Sequence, residues 1–172
     1  MVFTHFPLHP ETPPEGMLLA DLFRGRGYDL EAAHTRLAGL MEQEGLPYSR
    51  REKTYNSRLA QELGKWADGR PGGGAIHAAL FRAYFVAGRN IGDVDELARI
   101  AAAVGLPEDE AREALRGRSH QAAVDADWRR AGEFGITGVP TFVAGGYGLV
   151  GAQPYDALEQ LVAQARAERE PA

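Results

Sequence analysis

Thiol exchange, metal binding and acid–base catalysis draw on Cys, His, Asp and Glu, and in this chain the first of these is missing. The 172 residues include five His and no Cys. A disulfide framework, a thiolate metal site and dithiol chemistry carried by the chain's own residues are therefore excluded. His5 and His9 lie on either side of Pro7 in a non-helical stretch, so no helix face presents them together, and no metal site is expected. His34, His77 and His120 fall in separate expected helices and read as partly buried or surface residues rather than a catalytic base. Glu108, Asp109, Glu110 and Glu113 fit a solvated helix start that suits the macrodipole. Gly72-Gly73-Gly74 is no phosphate loop, because no strand precedes it and no Lys-Ser/Thr follows it. Trp66 and Trp128 read as core or interface aromatics. The stretch that remains is Gly135-Ile136-Thr137-Gly138-Val139-Pro140-Thr141-Phe142-Val143. A Gly-rich approach, one Pro and a β-branched run describe a loop delivering the chain into a buried strand, with Pro where a missing N–H is tolerated.

Composition narrows the partners. With 44% hydrophobic and 25% charged residues, the chain has the makings of one sizeable core or two small ones. A formal charge of −5 with scattered Arg residues argues against nucleic acid or an anionic membrane surface as the main partner. No apolar run approaches the ~20 residues that cross a bilayer, and Met1-Val2-Phe3-Thr4-His5 lacks the basic and apolar regions of a secretory signal. A cytoplasmic location is the expectation, and no motif calls for a cofactor.

The elements that must position the Val139–Pro140 stretch follow from periodicity and punctuation. Val2 to Phe6 reads as a short strand, ended by the Pro-rich segment Pro7 to Pro14. From Gly16 to about Glu133 the pattern is helical. Asp29 is the expected N-cap of a helix over 30–44, closed by Gly45, and a second helix is expected over 56–68, stopped at Gly69-Arg70-Pro71-Gly72-Gly73-Gly74, the most flexible stretch. The span 75–87, with Ile76, Leu80, Phe81 and Tyr84 on a broad apolar stripe, reads as the buried central helix. Asp93 and Glu96 form a capping-box variant opening a helix over 94–104, stopped by Gly105-Leu106-Pro107. Helices over 108–115 and 119–134 follow. Strands over 141–143 and 147–150 form a hairpin about Ala144-Gly145-Gly146, and Pro154 starts a last helix over 155–168. One strand, a helical block and a terminal hairpin suggest a small sheet built from the two ends of the chain.

Phe134 to Val143, the Gly-containing hairpin and Val150-Gly151-Ala152-Gln153-Pro154 resemble the C-terminal part of DsbA-like thioredoxin-fold proteins. Phe6-Pro7-Leu8-His9-Pro10-Glu11, Leu80 to Phe85 and Gly88 to Asp93 stand in the order used by their FrnE-type subgroup, which neighbours the 2-hydroxychromene-2-carboxylate isomerases. The resemblance covers roughly residues 1–165. It implies an α/β fold: a thioredoxin-like, DsbA-type sheet from residues 1–15 and 135–172, with a large inserted helical domain over 16–134. It also implies a cis Pro140 beside the active site, with Val139 offering its backbone to an extended peptide or thiol substrate, and Gly138 and Thr141 flanking. Asn56 resembles an Asn near the substrate pocket of the subgroup, and it is also a good N-cap.

The departure from the family concerns the nucleophile. Members begin with a strand, then a C-x-x-C or its Ser-containing replacement at the start of a helix, and only then the strand matched here by Val2 to Phe6. The resemblance therefore implies an N-terminally truncated sheet with no catalytic residue in the chain, since a low-pKa thiolate at a helix N-terminus performs the exchange. The absent strand is central in such a sheet, and its loss leaves inner edges that invite pairing. The expectation is that the chain rearranges, forms a homodimer by strand exchange, or receives the missing segment from a complementing chain. Three function readings follow: a DsbA-family thiol–disulfide oxidoreductase-like protein inactive as this chain, a non-catalytic peptide- or partner-binding protein using the cis-Pro edge, and a relative of the glutathione-dependent isomerases.

Overall fold

The computed structural model describes residues 2–167. By contact it divides into two units, residues 9–125 and residues 1–8 with 126–172.

The first unit is a helical assembly whose chain enters through a small antiparallel pair. Strand β1 (Met17–Leu18) runs into the short helix α1 (Leu19–Leu22) and pairs with β2 (Lys53–Thr54), with Met17 opposite Thr54 and Leu18 opposite Lys53. Sequence patterning had no signal for this pair, because two residues are too few to show alternation. Between the strands lies α2 (Leu30–Gln43), capped by Asp29, whose carboxylate accepts the Ala32 N–H at 3.0 Å. Gly45, at φ +63°, ends it in a Schellman turn: Leu46 N–H donates to Met41 C=O and Gly45 N–H to Glu42 C=O. None of the α2 side chains is buried, although its apolar spacing reads as helical.

The core lies among α3 (Arg58–Asp68), α4 (Ala75–Phe85), α5 (Val94–Ala103) and α6 (Glu108–Arg116). Ala60, Leu63, Trp66 and Ala67 repeat at helical spacing and are all buried, which makes α3 the central helix. The sequence pattern assigns that place to α4, and the structure corrects it. Ile76 and Ala83 of α4 are buried, whereas Phe81 is 61% exposed. At 100° per residue Phe81 stands about 140° around the helix from Ile76, too far to share its face. Gly73 is tightly enclosed rather than slack: a Cβ there would meet the backbone of Ala67.

Asp93 caps α5 by accepting the Glu96 N–H at 2.7 Å, but the reciprocal half of the expected capping box is absent from the bonds described. The Glu96 carboxylate pairs with Arg89 and with Arg99 instead. Gly105 closes α5 in a second Schellman turn, Leu106 N–H to Ala101 C=O. A buried ion network joins α3 to the α6–α7 junction. Glu62, 2% exposed, accepts from Arg58 Nε at 2.7 Å and from Arg118 Nε and Nη2 at 2.8 and 2.7 Å. Arg58 Nη2 also reaches Gln121 C=O and Asp125 Oδ1, at the start of α7 (Gln121–Glu133).

In the second unit, α7 ends at Gly135, where Ile136 N–H returns to Ala131 C=O. Strands β3 (Thr141–Ala144) and β4 (Tyr147–Val150) follow, then α8 (Tyr155–Ala167); the expected helix end at Glu168 lies outside the described residues. Gly145 and Gly146, both with positive φ, form the two-residue turn that a right-twisted hairpin requires. A Cβ on Gly145 would stand 2.8 Å from Ala165 Cβ, so α8 lies directly against the turn.

The expected strand Val2–Phe6 does not form. These residues carry no regular structure; His5 N–H donates to Asp127 Oδ2 at 2.9 Å and Leu8 N–H to Phe6 C=O. A strand exists only through a ladder, and among the described residues β3 and β4 have each other as their sole sheet neighbours.

Candidate functional site at the Val139–Pro140 edge

Gly138, Val139, Pro140 and Thr141 are contiguous at the entrance to β3, and the Val139–Pro140 peptide is cis. Two hydrogen bonds shape the corner. Thr141 Oγ1 donates to Gly138 C=O at 2.7 Å, and Gly151 N–H donates to Pro140 C=O at 2.8 Å.

The register shows which backbone groups are engaged. Thr141 stands opposite Val150, Phe142 opposite Leu149, Val143 opposite Gly148 and Ala144 opposite Tyr147. Antiparallel pairs alternate between those that exchange hydrogen bonds and those that do not. The Gly151-to-Pro140 bond places Pro140, Phe142 and Ala144 in the first class, with their main-chain groups directed at β4. Thr141 and Val143 consequently direct theirs away from β4. Pro140, which has no N–H, occupies a position where none is needed at the outer edge. Among the described residues the Val139 main chain makes no hydrogen bond, and the residue is 50% exposed.

The same alternation separates the hairpin's faces. Thr141, Val143, Gly148 and Val150 share one, on which Val143 is 46% and Val150 64% exposed. From Phe134 through Tyr155 the sequence has no Asp, Glu, Lys, Arg or His. Val143 and this uncharged run are the parts of the site that motif reading passes over, and a scan for missing edge charges would have found them.

Asn56 lies in the helical unit, where its side chain is engaged. Its Nδ2 donates to Pro10 C=O and Thr12 C=O at 2.9 and 3.0 Å, while Oδ1 accepts the Arg58 N–H that opens α3. Asn90 repeats the arrangement, donating to Pro14 C=O at 3.1 Å and accepting Gly92 N–H. A segment with Pro at 10, 13 and 14 is poor in N–H groups and rich in carbonyls, so side-chain amides are the donors that fit it. Replacing Asn56 by Ala should lower stability by about 1–2 kcal/mol, the usual cost of unpairing partly buried carbonyls. Urea denaturation checks this, and an unchanged midpoint would show that water replaces the amide without cost.

Among the described residues no group of three or more His, Asp or Glu could hold a metal ion, and no helix is long and apolar enough to cross a membrane.

A family model described as DSBA-like thioredoxin domain matches residues 1–163. The chain belongs to the DSBA-like thioredoxin domain family. A probable DsbA oxidoreductase from Streptomyces coelicolor superimposes on this DSBA-like chain with a TM-score of 0.85 at 30% identity, over 95% of this chain and 74% of that one. A candidate protein disulfide isomerase from Nitrosomonas europaea gives a TM-score of 0.70 at 16% identity, over 92% and 80% of the two chains, which is a likeness of fold. Among curated proteins, YwbO of Bacillus subtilis (strain 168), itself uncharacterized, is 34% identical over 91 residues, 52% of this chain and 46% of YwbO. The DSBA-like chain thus matches less than half the length of that relative. The sequence itself contains no Cys.

Proposed function

We propose that this chain is the substrate-docking part of a DsbA-type thiol–disulfide oxidoreductase fold, of the FrnE-type subgroup, and that it performs no exchange by itself. The single observation that carries the reading is the corner at the entrance to β3, where among the described residues the half-exposed Val139 makes no main-chain hydrogen bond, within a run that has no charge from Phe134 through Tyr155. Such a corner suits an extended peptide that adds as a strand, with main-chain hydrogen bonds supplying affinity and alternate side chains supplying selectivity. The catalytic half of the reaction requires a thiolate to attack the substrate disulfide, and no residue of this chain provides one. A cytoplasmic location fits the same reading, as does a complementing segment that brings the thiol.

A backbone amide titration with an uncharged, β-branched peptide in which Cys is blocked tests the docking. Shifts should concentrate at Gly138, Val139, Thr141 and Val143, and a response absent from these amides would overturn the reading. Insulin reduction by the chain alone should not exceed a heat-inactivated control; measurable turnover would contradict the missing-nucleophile part. The glutathione-dependent isomerase reading has no specific observation in its favour.

A further inference from the structure

We infer that the groove between α4 and α5 binds a monocarboxylate with a short apolar body, a ligand class for which octanoate is the probe. The groove belongs wholly to the helical unit, residues 9–125, so the inference does not rest on the docking reading. Its space of about 390 Å³ falls in the range of about 300–1,000 Å³ that small-molecule sites occupy. One turn of a partner helix about 10 Å wide would fill roughly 420 Å³. The space therefore suits a small molecule rather than a docked helix.

The lining states the chemistry. Ala83 and Ile100, both buried, close the floor, and Val86, Ala103, Val104 and Pro47 form the sides. An alkyl chain laid against them gains about fourfold in affinity for each methylene taken out of water. The charged part of the lining is of one sign: Arg82 and Arg89 reach the groove, and no Asp or Glu does. Arg89 is answered by Glu96. Among the described residues the Arg82 guanidinium has neither an ion pair nor a hydrogen bond, so its donors are available to a ligand. Its planar fork matches the two oxygens of a carboxylate. Arg82 also stands in the last turn of α4, where any positive charge offsets the helix dipole. That role needs charge alone, whereas holding a carboxylate uses the fork, and the two are separable by substitution.

An amide chemical-shift titration of the full chain with sodium octanoate tests the inference. Shifts should centre on Val86, Ala103 and Val104 and saturate with a dissociation constant on the order of 1 mM, the affinity that about ten non-hydrogen atoms supply at ordinary ligand efficiency. Hexanoate, shorter by two methylenes, should bind about tenfold more weakly, and octylammonium should leave these amides unmoved. Arg82→Gln should weaken octanoate about tenfold, the worth of a charge-assisted hydrogen bond, and Arg82→Lys, which keeps the charge at the end of α4, should weaken it by less. Ala103→Phe, at an exposed position in the last turn of α5, should fill the groove and abolish saturable binding with far-UV circular dichroism unchanged. No shift at these residues at about ten times the expected constant would overturn the inference. So would equal affinity for hexanoate and octanoate, octylammonium binding at the same amides, or octanoate binding indifferent to Arg82→Gln or to Ala103→Phe.

Discussion

Replacing Glu62 by Ala should cost about 3 kcal/mol and lower the thermal midpoint by roughly 10 °C. The carboxylate is 2% exposed and accepts from both Arg58 and Arg118, so its removal leaves two guanidinium groups without their shared counter-charge. The Arg118 side chain is 41% exposed and regains water, which holds the effect to the lower end of what unpairing a buried ion costs. Arg58 keeps Asp125 and the Gln121 carbonyl. The pH dependence follows from the same contacts. Burial alone pushes the Glu62 carboxyl up, but the hydrogen bonds from Arg118 and Arg58, and the charges of both, outweigh it and leave it below its ordinary value. In the unfolded chain the group titrates near pH 4. The unfolded state therefore binds the proton first as pH falls, so the network's contribution is complete above that pH and disappears as pH drops through the lower folded value. Chemical denaturation from pH 7 down to about 3 should show wild-type stability converging on that of Glu62→Ala. Parallel curves across the range would remove Glu62 as the cause.

Leu63→Ala should cost about 2–5 kcal/mol, with the denaturant slope unchanged. Leu63 is fully buried on α3 within the core of the helical unit, so truncation removes apolar contacts and leaves a cavity that rigid neighbours fill only in part. Phe81→Ala is the informative comparison. The residue removed is larger, yet Phe81 is mostly exposed on α4, and the change should stay within about 0.5 kcal/mol. Urea midpoints for the pair decide whether α3 or α4 is central: equal losses, or a larger one at Phe81, would restore the sequence-based assignment.

The helix boundaries were legible because their causes are local. Asp29 and Asp93 cap through their own side chains, and Gly45, Gly105 and Gly135 adopt the positive φ that the helix ends require, all within a few residues of sequence. The hairpin was legible for the same reason, since Gly145-Gly146 between two apolar runs specifies turn and register together. The candidate site was legible as far as Gly138 to Thr141, by resemblance. Its outward-facing groups were not, because which residues direct their N–H toward β4 depends on a register sealed by Gly151.

Burial was the weakest of the sequence readings. The stripe on α4 and the apolar spacing of α2 describe faces able to be buried, while α3 took the centre and α2 stayed at the surface. Periodicity states what a face offers, and only packing decides which offers are taken. Val2 to Phe6 makes the same point for strands, because β-branched and aromatic content favours extended backbone but a strand needs a neighbour to bond with. Asn56 shows it for polar groups: its sequence context marks a cap, and only the fold brings Pro10 and Thr12 within reach of its amide. Caps, turns and the absence of a thiol belong to the sequence itself, since they depend on residue type and near neighbours. The central helix, the Glu62 network and the engagement of Asn56 were decided by tertiary structure, because each depends on which distant segment arrives beside it.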